Sequence, residues 1–254
     1  MGKISAAIIA RNEEHRIEQC IRSLDGVADE IVVVDSFSTD RTVEICRELG
    51  CRVVQRRFTG FGAQRQYATS LTSHSYVLSL DADEVLSPAL RESLMKLKEG
   101  RFAHRVYSFS RLNFYCGRPV KQCGWYPDRQ IRLFNKSYAN WNLCDVFEKV
   151  IFPETLHAQA VDGDILHYRC TTPEEYRRAQ QHHAGISGHV LAVQHPHIRF
   201  YQPHLNAIRA FLSTYIAEGG ITGGADARAI CAERYRCVLM AWRLARRLNR
   251  QSQR

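Results

Sequence analysis

Residues Tyr76–Leu86 read YVLSLDADEVL. Five residues suited to a buried strand run straight into Asp81, Asp83 and Glu84, three carboxylates within four positions. Like charges this close raise one another's pKa unless something positive sits between them. A covered strand that delivers such a cluster is how an open parallel sheet presents a ligand site, at the carboxyl ends of its strands.

The chain before this stretch repeats the pattern. ISAAIIA (residues 4–10) is continuously apolar, as a strand covered on both faces must be. Asn12 is placed to cap a helix through EEHRIEQCIRSLDGV, with Ile17, Cys20, Ile21 and Leu24 on one face. EIVVVD is a second buried strand. SFSTDRT then offers capping oxygens to a helix over VEICREL that Gly50 closes. CRVVQR reads as a third strand, GAQRQYATSLT as a helix and YVLSL as the fourth strand. A β-α-β-α-β-α-β order implies an α/β fold with a mostly parallel sheet covered by helices. Arg11, Asp35 and Asp81 then all fall at carboxyl ends of strands.

Beyond about Leu94 the signals are mixed, with short strands in RVYSFSRLNFY and QIRLF. After Pro173 the reading is helical, in three stretches that begin PEEYRR, QPHLNA and ADARAI. Two regions are expected: a catalytic domain over 1–170 and a basic helical region over 171–254.

Charge divides the chain the same way. The protein has 254 residues and a net charge of +9. Met1–Tyr176 is neutral, with 23 basic and 23 acidic residues, whereas Arg177–Arg254 holds 12 arginines, no lysine and three acids. Such asymmetry marks a surface that meets a polyanion, either nucleic acid or anionic lipid. Nine cysteines without a C-x-x-C pair suit reduced thiols in the cytosol. The first apolar run, AAIIA, is too short for a signal peptide, and no stretch approaches the ~18 apolar residues of a spanning helix. A protein of this kind that touches a membrane lies on it.

Asp81-x-Asp83 supplies hard oxygen ligands suited to Mg²⁺ or Mn²⁺, cations that bridge to substrate phosphates. A capped turn on a solvated edge is the bland alternative. No Walker A loop and no G-x-G-x-x-G follows the first strand, which removes the usual support for ATPase and nicotinamide readings.

Taken in order, IIARNEEHRIEQCIRSL, IVVVDSFSTDRTVEI, GAQRQYA and VLSLDADEVLS resemble the nucleotide-sugar domain of family 2 inverting glycosyltransferases, which have the GT-A fold. WYPDRQIRLFN and DVFEKV resemble a bacterial branch that includes glucosyltransferases of the lipopolysaccharide inner core. The resemblance covers Lys3 to Val150. It implies that Arg11 and Glu13 edge the donor nucleotide, that Asp35 accepts from uracil or ribose, and that Arg65 faces the diphosphate. Asp81 would reach the ribose or a metal-bound water, and Asp83 would hold the metal. The cation among the carboxylates would then be a divalent metal on a UDP-sugar.

An inverting transfer also needs a general base. The related branch carries a His-Glu pair there; WNLCDVFEKV keeps the Glu as Glu148 and replaces the His with Phe147. Glu148 is the expected base and Asp145 the reserve. Trp125, Asp128 and Arg132 are candidates for the acceptor side, although Trp125 suits a core position equally. Gln66 stands where the family often has Asn.

In RYRCVLMAWRLARRLNR, residues Tyr235, Val238, Leu239, Trp242 and Ala245 share one helical face and Arg236, Arg243, Arg247 and Arg250 the other. A basic amphipathic helix with a Trp suits a lipid headgroup layer, and equally suits packing on the body with its arginines in water. HIRFYQPHLNAIRAF mixes aromatics and bases in the same manner. The histidines of this region show no helical zinc spacing.

The favoured reading is a metal-dependent inverting glycosyltransferase. It moves a hexose, glucose from UDP-glucose, to a lipopolysaccharide-core or other surface-glycan acceptor. It would sit peripherally on the inner face of the cytoplasmic membrane, with the basic helices for attachment or self-association. A polyprenyl phosphate acceptor, a nucleotidyltransferase and a non-catalytic relative are alternatives. A basic nucleic-acid-binding protein explains the charge asymmetry but not the acids at strand ends, so no nucleic-acid partner is expected.

Overall fold

A computed structural model describes residues 1–144 and 148–252 of the chain. They form two compact units: Met1–Arg111 with Arg129–His167, and Leu112–Asp128 with Tyr168–Arg254.

The first unit begins with β1 (Ile4–Ala10), α1 (Ile17–Arg22), β2 (Glu30–Asp35), α2 (Thr42–Glu48), β3 (Arg52–Gln55), α3 (Phe61–Ser70) and β4 (Tyr76–Asp81). It continues through β5 (Glu84–Leu86), α4 (Pro88–Glu99) and β6 (Val106–Tyr115). After β7 (Arg118–Val120), which belongs to the second unit, come β8 (Asp128–Asn135), β9 (Asn140–Trp141), β10 (Val150–Ile151) and β11 (Gln159–Cys170). The main sheet runs β3-β2-β1-β4-β8-β6-β11-β5. Its first four strands are parallel, and β8 joins β4 antiparallel. This is the expected α/β architecture, a parallel nucleotide half covered by helices, with antiparallel strands completing the sheet.

The apolar runs are explained by burial on both faces. In β1, Ala6 and Ile8 enter a core with Ile17, Cys20, Ile21, Leu90 and Leu94. Ala7 points the other way, into a core with Val34, Ala68, Val77, Phe134 and Trp141. A period of two places successive residues on opposite faces, so a strand covered on both needs apolar residues throughout.

Two helix readings change. Asn12 does not cap a long helix: its φ is +54°, and its Oδ1 accepts from Thr39 N at 2.8 Å. That bond ties the loop after β1 to the loop after β2, so α1 starts only at Ile17. Helix α4 went unread although its signals are present. Ser87 caps it by accepting from Leu90 N at 3.2 Å, with Pro88 at the first helical position.

The second unit contains the ends of β6 and β11, β7, and the helices α5 (Pro173–Gln194), α6 (Gln202–Leu212) and α7 (Gly224–Ser252). A π turn, Ser213–Ala217, ends the second of these helices. Along α7 the inward residues are Ala227, Ile230, Cys231, Ala241 and Ala245. Helix α5 approaches α7 closely at Gly188, where an added Cβ would meet Leu244 Cδ2 at 2.8 Å. Of the face expected to meet lipid, Ala245 is buried and Tyr235, Val238, Leu239 and Trp242 are half-buried. All nine cysteines are free. Among the described residues no helix is long and apolar enough to cross a membrane.

Candidate functional site

The carboxyl ends of β2 and β4 carry the site. Asp35 closes β2 fully buried and accepts from Ser38 N at 3.0 Å, from Ser38 Oγ, and from Gln55 Nε2 at 3.0 Å. Arg11 lies exposed in the loop after β1. Glu13 anchors that loop: its N donates to Thr42 Oγ1 at 2.8 Å and its Oε2 accepts from Arg16 Nη1 at 3.2 Å.

At the end of β4 the acids are balanced by side chains of this chain. Arg65, on α3, donates from Nη2 to Asp81 Oδ1 at 2.7 Å and to Oδ2 at 2.8 Å, and its Nη1 donates to Glu148. Arg132, on β8, donates from Nη2 to Asp81 Oδ2 at 3.0 Å and to Glu84 Oε1 at 2.6 Å. Arg111 adds a second contact to Glu84 Oε1 at 3.1 Å. Burial alone would raise the Asp81 pKa, but the Arg65 and Arg132 guanidiniums outweigh it and hold that carboxyl well below the usual range. Burial opposes the charge on Arg132, yet Glu84 and Asp81 push its pKa above the ordinary arginine value.

Asp83 has a different partner. Its Oδ2 lies 3.2 Å from Nε2 of His167, on β11. Burial again works against the charge, and the imidazole more than offsets it, so Asp83 stays below the usual carboxylate range. His167 reaches this position because Glu84 pairs with it in the antiparallel β5–β11 ladder.

One oxygen donor and one imidazole fit a divalent cation that takes its remaining ligands from phosphate and water. Among the described residues no group of three His, Cys, Asp or Glu side chains could enclose a metal alone. Asp81, clasped by two guanidiniums, is committed elsewhere in this arrangement.

Both Asp81-binding arginines also stack on Trp141. The Arg65 guanidinium lies 4.8 Å and the Arg132 guanidinium 5.7 Å from its ring centroid. Gln66 supports the strand that carries it, donating from Nε2 to Trp141 O at 3.2 Å. Close approach of α3 to the chain beyond Trp141 needs Gly62, whose added Cβ would lie 2.2 Å from Asn142 O.

The structure thus brings Arg65, Asp81, Arg132 and Glu148 together in the first unit, with Asp83 beside His167. Trp125 and Asp128 belong to the second unit. There Trp125 packs against Tyr115 and Tyr176, at 6.4 and 5.8 Å between centroids. Asp145 and Phe147 lie outside the described residues. Sequence reasoning missed Arg111 and His167, and it named Glu84 in the acid cluster without a role. For His167 the available signal was its place in the strand-like run ILHY.

A surface cavity of about 600 Å³ lies elsewhere, at the amino ends of β1 and β4 beside Lys3, His74 and Arg101. It holds none of these acids.

An uncharacterised glycosyltransferase of Rickettsia typhi is 32% identical over 69% of this chain. The chain spans 63% of that relative's length. A lipopolysaccharide core biosynthesis glycosyltransferase of Rhizobium meliloti is 28% identical over 88% of this chain and 86% of its own. Glucosyl-3-phosphoglycerate synthase of Mycobacterium tuberculosis, solved with Mn²⁺, UDP and glucosyl-3-phosphoglycerate, superposes with a TM-score of 0.36. It is 27% identical, over 45% of this chain and 44% of that one. The model of glycosyl transferase family 2 matches residues 5–152, more than half of the chain, which therefore belongs to that family.

Proposed function

We propose that the protein transfers a hexose, glucose from UDP-glucose, with inversion to a lipid-linked glycan of the lipopolysaccharide-core type. The observation that carries this reading is the arginine-bridged pair Asp81–Arg65–Glu148 at the carboxyl ends of the parallel strands, next to Asp83 and His167. Asp35 braces the loop after β2 through Ser38, and the nucleotide is assigned to that loop, with Arg11 and Glu13 at its edge.

Glu148 accepts the proton of the acceptor hydroxyl. The freed oxygen attacks the anomeric carbon, and the bond from that carbon to the diphosphate oxygen breaks. UDP leaves with the electron pair, so the sugar inverts once. Arg65 holds Glu148 and Asp81 in a fixed relation, which keeps the base in place before the acceptor arrives. A divalent cation held by Asp83 and His167 would neutralise the charge developing on the leaving diphosphate.

Support for the acceptor class comes from the Rhizobium relative, named for lipopolysaccharide core biosynthesis. We assign donor and acceptor chemistry to residues 1–170. Residues 171–254 are assigned attachment at the inner face of the cytoplasmic membrane. The test is UDP release from UDP-glucose with extracted core acceptor, comparing wild type with E148Q. Acceptor-dependent release that E148Q lowers by about 10²–10⁴-fold supports the assignment. Equal turnover in the two proteins removes Glu148 as the base.

A further inference from the structure

The cations of the C-terminal region are largely unmatched. Of the three acids in Arg177–Arg254, Glu233 pairs with Arg177 at 2.9 Å and Arg236 at 2.5 Å, and Asp226 pairs with Arg118 at 2.6 Å. Glu218 accepts from Ser213 Oγ at 3.1 Å. Arg199, Arg246 and Arg250 form no ion pair with a carboxylate among the described residues.

These three arginines meet in one place. The turn between α5 and α6 and the last turns of α7 border a pocket of about 210 Å³, where Pro196, Ile198 and His197 stand with Arg199, Arg246, Asn249 and Arg250. Its walls are fixed. Asn249 Nδ2 donates to His195 O at 2.7 Å, tying α7 to the end of α5. Arg199 N donates to Gln202 Oε1 at 2.6 Å and Arg199 Nη1 to Tyr201 Oη at 3.1 Å. Arg246 Nε is buried and meets no acceptor. Arginines that line one small pocket repel one another unless an anion lies among them, and phosphate is the anion their planar forks fit best.

Two further observations select the source of the phosphate. The pocket is smaller than the ~300 Å³ at which small-molecule sites begin, so it suits one headgroup rather than a nucleotide. The residues flanking it in the chain are large, apolar and exposed: Val193 at 84%, Phe200 at 74% and Leu205 at 48%. A soluble phosphate gains nothing from such a rim, whereas a lipid sets acyl chains beside its phosphate. We propose that the α5–α6 corner is a headgroup site for an anionic phospholipid. It rests on the membrane-face reading above and gives that contact an address away from the half-buried face of α7.

The test is flotation of the full chain with phosphatidylcholine vesicles, with and without phosphatidylglycerol. Wild type should bind the phosphatidylglycerol vesicles only. R199A/R250A, both exposed positions, should weaken that binding about 25-fold, roughly fivefold per arginine. F200S should weaken it while leaving its salt dependence unchanged. The charge-matched R228A/R234A should weaken it less than R199A/R250A. Equal losses in the two double variants would mean diffuse attraction and overturn the site, as would equal binding to both vesicle types. Saturable binding of inorganic phosphate without vesicle binding would assign the pocket to a soluble ligand and overturn the lipid. UDP titration of R199A/R250A should match wild type, so failure of the lipid site and failure of the transferase reading remain separable.

Discussion

Replacing Arg132 with methionine tests whether the acid cluster is held by the chain's own arginines. Arg132 is 2% exposed and Glu84 fully buried, and they meet at 2.6 Å. Removing one partner of a buried pair leaves an uncompensated charge, which costs about 3–5 kcal/mol. Glu84 keeps Arg111 at 3.1 Å, and Asp81 keeps Arg65 at 2.7 Å, so the lower end applies. About 3 kcal/mol in a chain of this size corresponds to a fall in Tm of about 6–12 °C. Scanning calorimetry at pH 7 measures it. E84Q/R132M should recover part of the loss, because the stranded charge is then gone. An R132M protein melting within about 2 °C of wild type, or a double variant no better than the single, would refute the reasoning.

Further expectations follow from the same geometry. Asp81 and Asp83 are both held below the usual carboxylate range. Their stabilisation is therefore complete above the unfolded value of about 3.9 and drains as pH falls below it. Stability against pH should steepen below about pH 4, and D83N should flatten that limb. G62A must push α3 away from Asn142 O, since its Cβ would lie 2.2 Å from that atom, and should cost about 1–3 kcal/mol in urea unfolding. H167A should weaken metal-dependent UDP binding about 10–100-fold while leaving metal-free binding unchanged, read by titration calorimetry with and without chelator.

Much of the parallel half was legible because its signals are local. ISAAIIA, EIVVVD and YVLSL are continuous apolar runs, and each became a strand with cores on both faces. The acids at their ends were legible for the same reason. What balances those acids was not. Arg132 and His167 lie 51 and 84 positions beyond Asp81 and Asp83, on strands brought back by antiparallel pairing. No periodicity in one segment reports a partner that distant. For Asp81 and Glu84 the question posed by the clustered carboxylates thus has an answer in the chain itself: Arg65, Arg111 and Arg132. The face of α7 was only partly legible, for a related reason. Its polar and apolar positions were evident, but Ala227, Ile230, Ala241 and Ala245 line the inward stripe. Small residues that permit close helix contact give little hydropathy signal.

The central claim is that these strand ends bind a nucleotide diphosphate with a divalent cation. Titration calorimetry of UDP into the protein, with and without Mn²⁺, on wild type and D83A, tests it most directly. The account predicts binding that needs Mn²⁺ and is abolished in D83A. UDP binding that is indifferent to Mn²⁺ and to the substitution, or no UDP binding under either condition, would contradict it.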